Sequence, residues 1–149
     1  MGRVAMSPDD PGHDVGYRLQ DQIGFILRKA HQRHVAIFAA HIADLTPPQF
    51  AALAKLRDVG ETSQNQLGAL IAMDAATVKG VIDRLAARGL VRLGKHEVDK
   101  RRLLVGLTEE GQRTVEELVP LARTITEETL APLSAREATT LLQLLAKIS

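Results

Sequence analysis

Cysteine is absent from the 149 residues, so the chain can hold no disulfide, thiol nucleophile or cysteine-based zinc cluster. A reducing cytoplasm suits such a chain. Aromatics make up 3% and amount to Tyr17, Phe25, Phe38 and Phe50. That is too few for folds that stack several bases on surface rings, as RRM-type RNA binders do. No apolar run approaches the ~18 residues of a membrane span. The start, Met1 to Pro8, has no stretch resembling a signal peptide, so a cytoplasmic chain with no membrane partner is expected. Histidine occurs at 13, 31, 34, 41 and 96, but no glycine-rich phosphate loop, G-x-S-x-G elbow or HExxH pattern accompanies it. Neither catalysis nor a cofactor is expected.

What is present is a 45% hydrophobic chain, enough for the core of one globular unit. The net charge of +1 hides an uneven distribution. Residues 63–107 carry eight Lys/Arg against four Asp/Glu, while 1–62 are balanced at seven each and 108–149 carry four against seven. A basic middle between neutral and acidic flanks is what a segment facing a polyanion would show.

Residues 1–15 are rich in Gly, Pro and Asp and read as a mobile N-terminal arm. Apolar residues from Leu19 to Leu45 recur at three- and four-residue steps, predicting a long helix over about 16–43. Thr46-Pro47-Pro48-Gln49 is a capping box that opens a second helix, ended by Gly60. Ser63 to Gln66 repeats the pattern and opens a short third helix to about Met73; Asp74 caps a fourth, from Ala75 to Arg88, stopped by Gly89. Leu90–Leu93 and Leu103–Leu107 read as a hairpin with a charged tip. Thr108 caps a fifth helix, with a kink expected at Pro120, and Ser134 to Glu137 starts a sixth. This order defines a mainly α fold: a winged helix-turn-helix with a two-stranded β-wing over 46–107. The terminal helices, 16–45 and 108–149, carry more Leu, Ile and Val than covering the winged unit requires, which fits a dimerisation domain.

At about 100° per residue, the fourth helix turns Val78, Val81, Ile82 and Leu85 to one side and Ala76, Lys79, Gly80 and Asp83 to the other. Thr77 and Arg84 lie on a shoulder. Small outward residues let a helix approach a major groove closely, and Lys79 and Arg84 offer charge to phosphate or guanine; a solvated face with a Lys79–Asp83 pair is the plainer reading. At the hairpin tip, Asp99-Lys100-Arg101-Arg102 sets three cations beside one carboxylate. Arginine favours narrow minor grooves, and an adjacent aspartate can hold it in one orientation. A charged turn that only discourages edge aggregation is the alternative.

Asp99-Lys100-Arg101, followed after five residues by Leu107-Thr108-Glu109-Glu110-Gly111, resembles the D-x-R … L-T-x-x-G signature of MarR-type transcriptional regulators. Asp83-Arg84-Leu85 with Arg88-Gly89-Leu90-Val91 is similar to the stretch that ends their recognition helix. The resemblance implies a homodimer reading a palindromic duplex DNA operator, probed at the major groove by Ala76, Thr77 and Lys79. It places Arg84 near phosphate, Arg101 in the minor groove and Asp99 as its brace, with Lys100 and Arg102 alongside. Gly80 departs from the polar residue common in the family.

A second constellation lies on the first helix, where Arg28, Lys29, His31, Arg33 and His34 crowd seven positions near Phe25 and Phe38, with Phe50 on the next helix. Like charges at this density call for a partner. That partner is either an acidic surface across a dimer or a small anionic aromatic ligand, an aromatic acid or aromatic acyl-CoA, held by Phe25, Arg28, His31, Arg33, His34, Phe38 and Phe50. Asn65–Gly68, Ala72–Thr77 and Gly80-Val81 also resemble the family branch controlling aromatic-acid degradation, which includes sensors of hydroxycinnamoyl-CoA thioesters. Alternatives are a metal-responsive regulator using His31 and His34, and a winged helix that only docks proteins.

Overall fold

The computed structural model describes residues 16–149; the expected N-terminal arm, 1–15, lies outside the described residues. Two compact units are distinguished, Met1–His34 and Val35–Ser149, with the boundary inside the first helix. In the first unit a short turn of 3-10 helix, Leu19–Asp21, precedes α1 (Ile23–His41). The first helix therefore starts later than the periodicity of the sequence implies. Backbone donors bond locally here, Asp21 N–H to the Arg18 carbonyl and Gln22 N–H to that of Leu19, and the Gln22 side chain donates to the Arg18 carbonyl at 2.8 Å.

The second unit contains the end of α1, then α2 (Pro47–Val59), β1 (Thr62–Ser63), α3 (Gln64–Leu70), α4 (Ala75–Ala87), β2 (Val91–Lys95), β3 (Leu103–Leu107), α5 (Glu109–Leu130) and α6 (Ala135–Ile148). Each helix from α2 onward begins at a side chain that accepts a backbone N–H three residues ahead. Thr46, Ser63, Asp74, Thr108 and Ser134 do so for Gln49, Gln66, Thr77, Gly111 and Glu137. The capping box is reciprocal at Thr46 and Ser134; at Ser63 only the forward half forms. α5 runs on through Pro120 without ending there.

The ends are equally local. α3 stops at Leu70, short of the expected Met73, because Ala72 adopts φ 55°. The Met73 N–H then reaches the Gly68 carbonyl, and that of Ala72 reaches Ala69, the paired bonds of a Schellman closure. α4 ends in the same way: Gly89, at φ 73°, donates to Ala86, and Leu90 to Leu85.

The sheet has three antiparallel strands in the order β1-β3-β2, one more than the hairpin expected from sequence. Val91 faces Leu107 and Lys95 faces Leu103, while the added strand pairs Thr62 with Val105 and Ser63 with Leu104. The core of this unit collects Leu53 and Leu56 of α2, Leu67 of α3, Val78, Ile82 and Leu85 of α4, Val105 of β3 and Val115 of α5, all essentially without exposed surface. Each such side chain stabilises by roughly 1.5–3 kcal/mol relative to leaving it in water. This burial fixes which face of α4 looks outward.

Polar links join α5 to the rest of the unit. His41 at the end of α1 meets Glu128 at 2.8 Å. Arg57 of α2 holds Glu116 in a two-pronged contact, Nε to Oε1 at 2.7 Å and Nη2 to Oε2 at 3.3 Å, and Gln112 also donates to Glu116. The Arg57 hydrogen bond pulls the Glu116 carboxyl below its ordinary value of 4.5. A carboxyl held low in the folded state adds stability above its unfolded pKa and loses it as pH falls through the folded value. Glu116→Gln should therefore melt below the wild type at neutral pH, and the two melting curves should converge as pH falls through the lowered folded-state value of the carboxyl, as calorimetry across pH would show. A constant gap at every pH would mean the pair has no folding role.

Candidate nucleic-acid interface

α4 buries Val78, Val81, Ile82 and Leu85 and exposes Ala76, Thr77, Lys79, Gly80, Asp83 and Arg84. The outward face is thus a shallow floor of small side chains with cations beside it. Asp74 fixes where the helix starts: its Oδ1 accepts the Thr77 N–H at 2.7 Å. That backbone hydrogen bond also keeps the Asp74 carboxyl below its usual range. Lys79 reaches Asp83 at 2.8 Å, an exposed pair one turn apart, which leaves Arg84 as the cation of this face farther along the helix. An open cavity of about 380 Å³ lies where the outward face of α4 meets the start of α2, lined by Thr46, Pro48, Gln49, Ala76, Thr77, Gly80, Val81 and Arg84.

The second cationic element is the wing tip. Arg101 is 97% exposed in its side chain. Asp99 addresses it twice, accepting the Arg101 backbone N–H at Oδ1 (3.2 Å) and lying 3.7 Å from the guanidinium Nε. Lys100 and Arg102 are exposed beside it. A polar cavity of about 440 Å³ brings Arg101, Arg102 and Leu103 together with Ser63, Gln64, Asn65 and Gln66 at the start of α3. Exposed cations and helix-start amides in one concavity suit a phosphodiester backbone.

Sequence reasoning passed over several residues that shape this face. His96 organises the wing turn, accepting at Nδ1 from the N–H groups of Val98 and Asp99. Arg92 braces the sheet, donating to the Leu107 carbonyl at 2.7 Å and lying 3.8 Å from Glu61. Arg88 donates from Nη1 to the Asp44 carbonyl and so ties the exit of α4 to the α1–α2 connection. The signal for His96 was available: a histidine three residues before the aspartate of the tip, at turn-capping spacing.

The seven candidate ligand residues fall in both compact units. Phe25, Arg28, His31, Arg33 and His34 lie on the first part of α1, within Met1–His34. There Arg28 and Lys29 sit 5.9 and 5.8 Å from the centre of the Phe25 ring, so part of the local positive charge is answered by an aromatic face. Phe38 and Phe50 belong to the other unit. Phe38 is 5% exposed and meets Phe50 edge-on at 6.2 Å, so this pair contributes to the core. Among the described residues, no three His, Asp or Glu side chains gather to hold a metal ion. Among the described residues, too, no helix is long and apolar enough to cross a membrane.

A short helix, a second helix with a small outward face, and a hairpin with cations at its tip define a winged helix-turn-helix protein. The chain belongs to the MarR family, whose model matches residues 45–103. It is 41% identical to the HTH-type transcriptional repressor NicR of Pseudomonas putida over 99% of this chain and 95% of that one. A crystal structure of a probable transcriptional regulator from Pseudomonas aeruginosa superposes with a TM-score of 0.85 at 53% identity, covering 89% of this chain and all of the other. BpsR of Bordetella bronchiseptica, whose DNA binding is regulated by 6-hydroxynicotinic acid, superposes with a TM-score of 0.85 at 43% identity, covering 89% and 96%. The chain is a transcriptional regulator of this family.

Proposed function

We propose that the chain is a homodimeric repressor whose two winged units, residues 46–107, read the halves of a palindromic operator and are released by a small aromatic acid or its CoA thioester. The observation that carries this reading is the pairing of two presented elements. The small outward face of α4 suits a major groove, and a fully exposed Arg101 braced by Asp99 suits a minor groove. We assign Ala76, Thr77 and Lys79 to base edges, Arg84, Lys100 and Arg102 to phosphates, and Arg101 to the minor groove.

Dimerisation through 16–45 and 108–149 is supported by unspent apolar surface. α6 buries none of its residues, although Leu141, Leu142, Leu144 and Ile148 recur along it. In the first unit Tyr17, Leu19, Ile23, Ile26 and Leu27 are exposed as well. Rows of exposed large apolar side chains within each unit mark association sites. The dimer should bind duplex DNA with half-sites one helical turn, ~34 to 36 Å, apart. Affinity should fall steeply with salt, because the cations of two subunits displace condensed counterions. Sedimentation and fluorescence anisotropy across a salt series test this; a monomer at micromolar concentration or a salt-independent affinity would overturn it.

For the ligand, we assign anion capture to Arg28, His31, Arg33 and His34 around Phe25. Regulation of the relative BpsR by 6-hydroxynicotinic acid supports a heteroaromatic carboxylate as the first compound to try. Calorimetry with that acid, other aromatic acids and their CoA thioesters should show binding that Arg28→Ala with Arg33→Ala weakens by ~10-fold or more. Binding unchanged in the double variant would remove the basic run from the ligand site.

A further inference from the structure

A fully exposed arginine can be presented in one direction only if the turn beneath it is stiff, and strand pairing does not supply that stiffness. The ladder ends where Lys95 faces Leu103, leaving the tip to close on itself. The His96 N–H donates to the Arg102 carbonyl at 3.1 Å, and the Arg102 N–H donates to the Asp99 carbonyl at 3.0 Å. The N–H groups of Val98 and Asp99 converge on a single acceptor, His96 Nδ1, at 3.2 and 3.0 Å. A ring nitrogen accepts only when it carries no proton, so this geometry requires a neutral imidazole with its hydrogen on Nε2. His96 thus takes the place that Asn or Asp usually fills, capping a turn by accepting backbone N–H groups just ahead. The Asp99 it fixes then orients Arg101 through backbone and guanidinium.

We propose that His96 is a positioning residue for the DNA contact of Arg101, its neutral ring holding Asp99 in the place from which that arginine is aimed. This rests on the reading of the chain as an operator-binding protein. The charged groups around the turn are Lys95, Glu97, Asp99, Lys100, Arg101 and Arg102. The α3 residues lining the cavity beside it, Gln64, Asn65 and Gln66, carry none. Removing the His96 ring removes the shared acceptor of the Val98 and Asp99 N–H groups, so the turn beneath Arg101 loosens.

The test compares wild type, H96N and H96A as full chains, measuring operator affinity by anisotropy at fixed salt. At pH ~7.5 H96A should bind ~10-fold more weakly and H96N within ~3-fold of wild type, since asparagine restores an acceptor. Equal affinities for all three chains, or H96N falling as far as H96A, would overturn the assignment. If the wild-type chain binds no duplex, the operator reading fails, and amide exchange in the free protein separates the two failures. Val98 and Asp99 protection lost only in H96A keeps the turn role; equal protection in all three overturns it.

Discussion

Arg101→Ala is expected to lower operator affinity by about 100-fold while leaving the dimer and its melting temperature nearly unchanged. The magnitude follows from symmetry: each lost groove contact is worth ~1–3 kcal/mol, and a dimer loses two. The neutrality toward folding follows from exposure. At 97% exposure the side chain covers little apolar surface, and among the described residues its ion-pair partner is the half-exposed Asp99 carboxylate, 3.7 Å from Nε. Such pairs contribute little, and surface substitutions of this kind stay within ~0.5 kcal/mol. Lys100→Ala or Arg102→Ala should act differently, weakening all duplexes alike and reducing the salt slope, as phosphate contacts do. Anisotropy with operator and scrambled duplexes at one salt concentration distinguishes the two patterns. An Arg101→Ala chain that lost fold and binding together would show that the arginine is structural.

How much of this was legible in the sequence depended on how far each interaction reaches along the chain. Helix starts were readable because the cap and its donor lie three residues apart, as with Asp74 and Thr77 or Ser134 and Glu137. The outward face of α4 was readable because one helical period places every residue relative to Val78 and Ile82. β1 was not: two residues carry no pattern, and Thr62 and Ser63 become a strand only because β3 lies alongside. Arg57 and Glu116 are 59 residues apart, so nothing local announces their pair. The first helix was overextended because Leu19 and Ile23 continue the apolar rhythm across a chain that turns in a tighter helix first. Phe38 illustrates a different limit. Periodicity put it on the apolar stripe of α1, which fits a ligand slot and a core equally well, and packing against Phe50 placed it in the core. In the candidate interface, the cations announced themselves by composition, whereas His96, which holds their turn, did not.

Gly111→Ala should be the most destabilising single methyl addition among the described glycines, and it concerns the residue that closes the L-T-x-x-G motif. A Cβ at Gly111 would run into the backbone carbonyl oxygen of Leu90 and stand 2.9 Å from its carbonyl carbon. The obstacle is backbone that is already committed: the Leu90 carbonyl accepts the Thr108 N–H at 3.2 Å. Thr108 closes the same joint from the other side, donating from Oγ1 to the Gly89 carbonyl at 2.6 Å and accepting the Gly111 N–H at 3.0 Å. The motif is therefore a clasp that seats the first turn of α5 on the chain leaving α4. To admit a methyl group, α5 must lift from Leu90, breaking these bonds and disturbing the packing of Val115, which is fully buried one turn farther on. Overpacking against committed backbone, with the loss of these hydrogen bonds, puts the cost at ~4 kcal/mol or more. For a chain of this length that corresponds to a fall of about 10 °C or more in Tm, measured at fixed protein concentration because the expected dimer couples stability to association. Gly80→Ala supplies the control of opposite sign. Nothing lies within 4 Å of a Cβ there, and alanine in a helix interior should raise stability by up to ~1 kcal/mol. A Gly111→Ala chain that melts with the wild type would mean that α5 is seated by its apolar stripe alone, and that the glycine of the motif has no part in holding it.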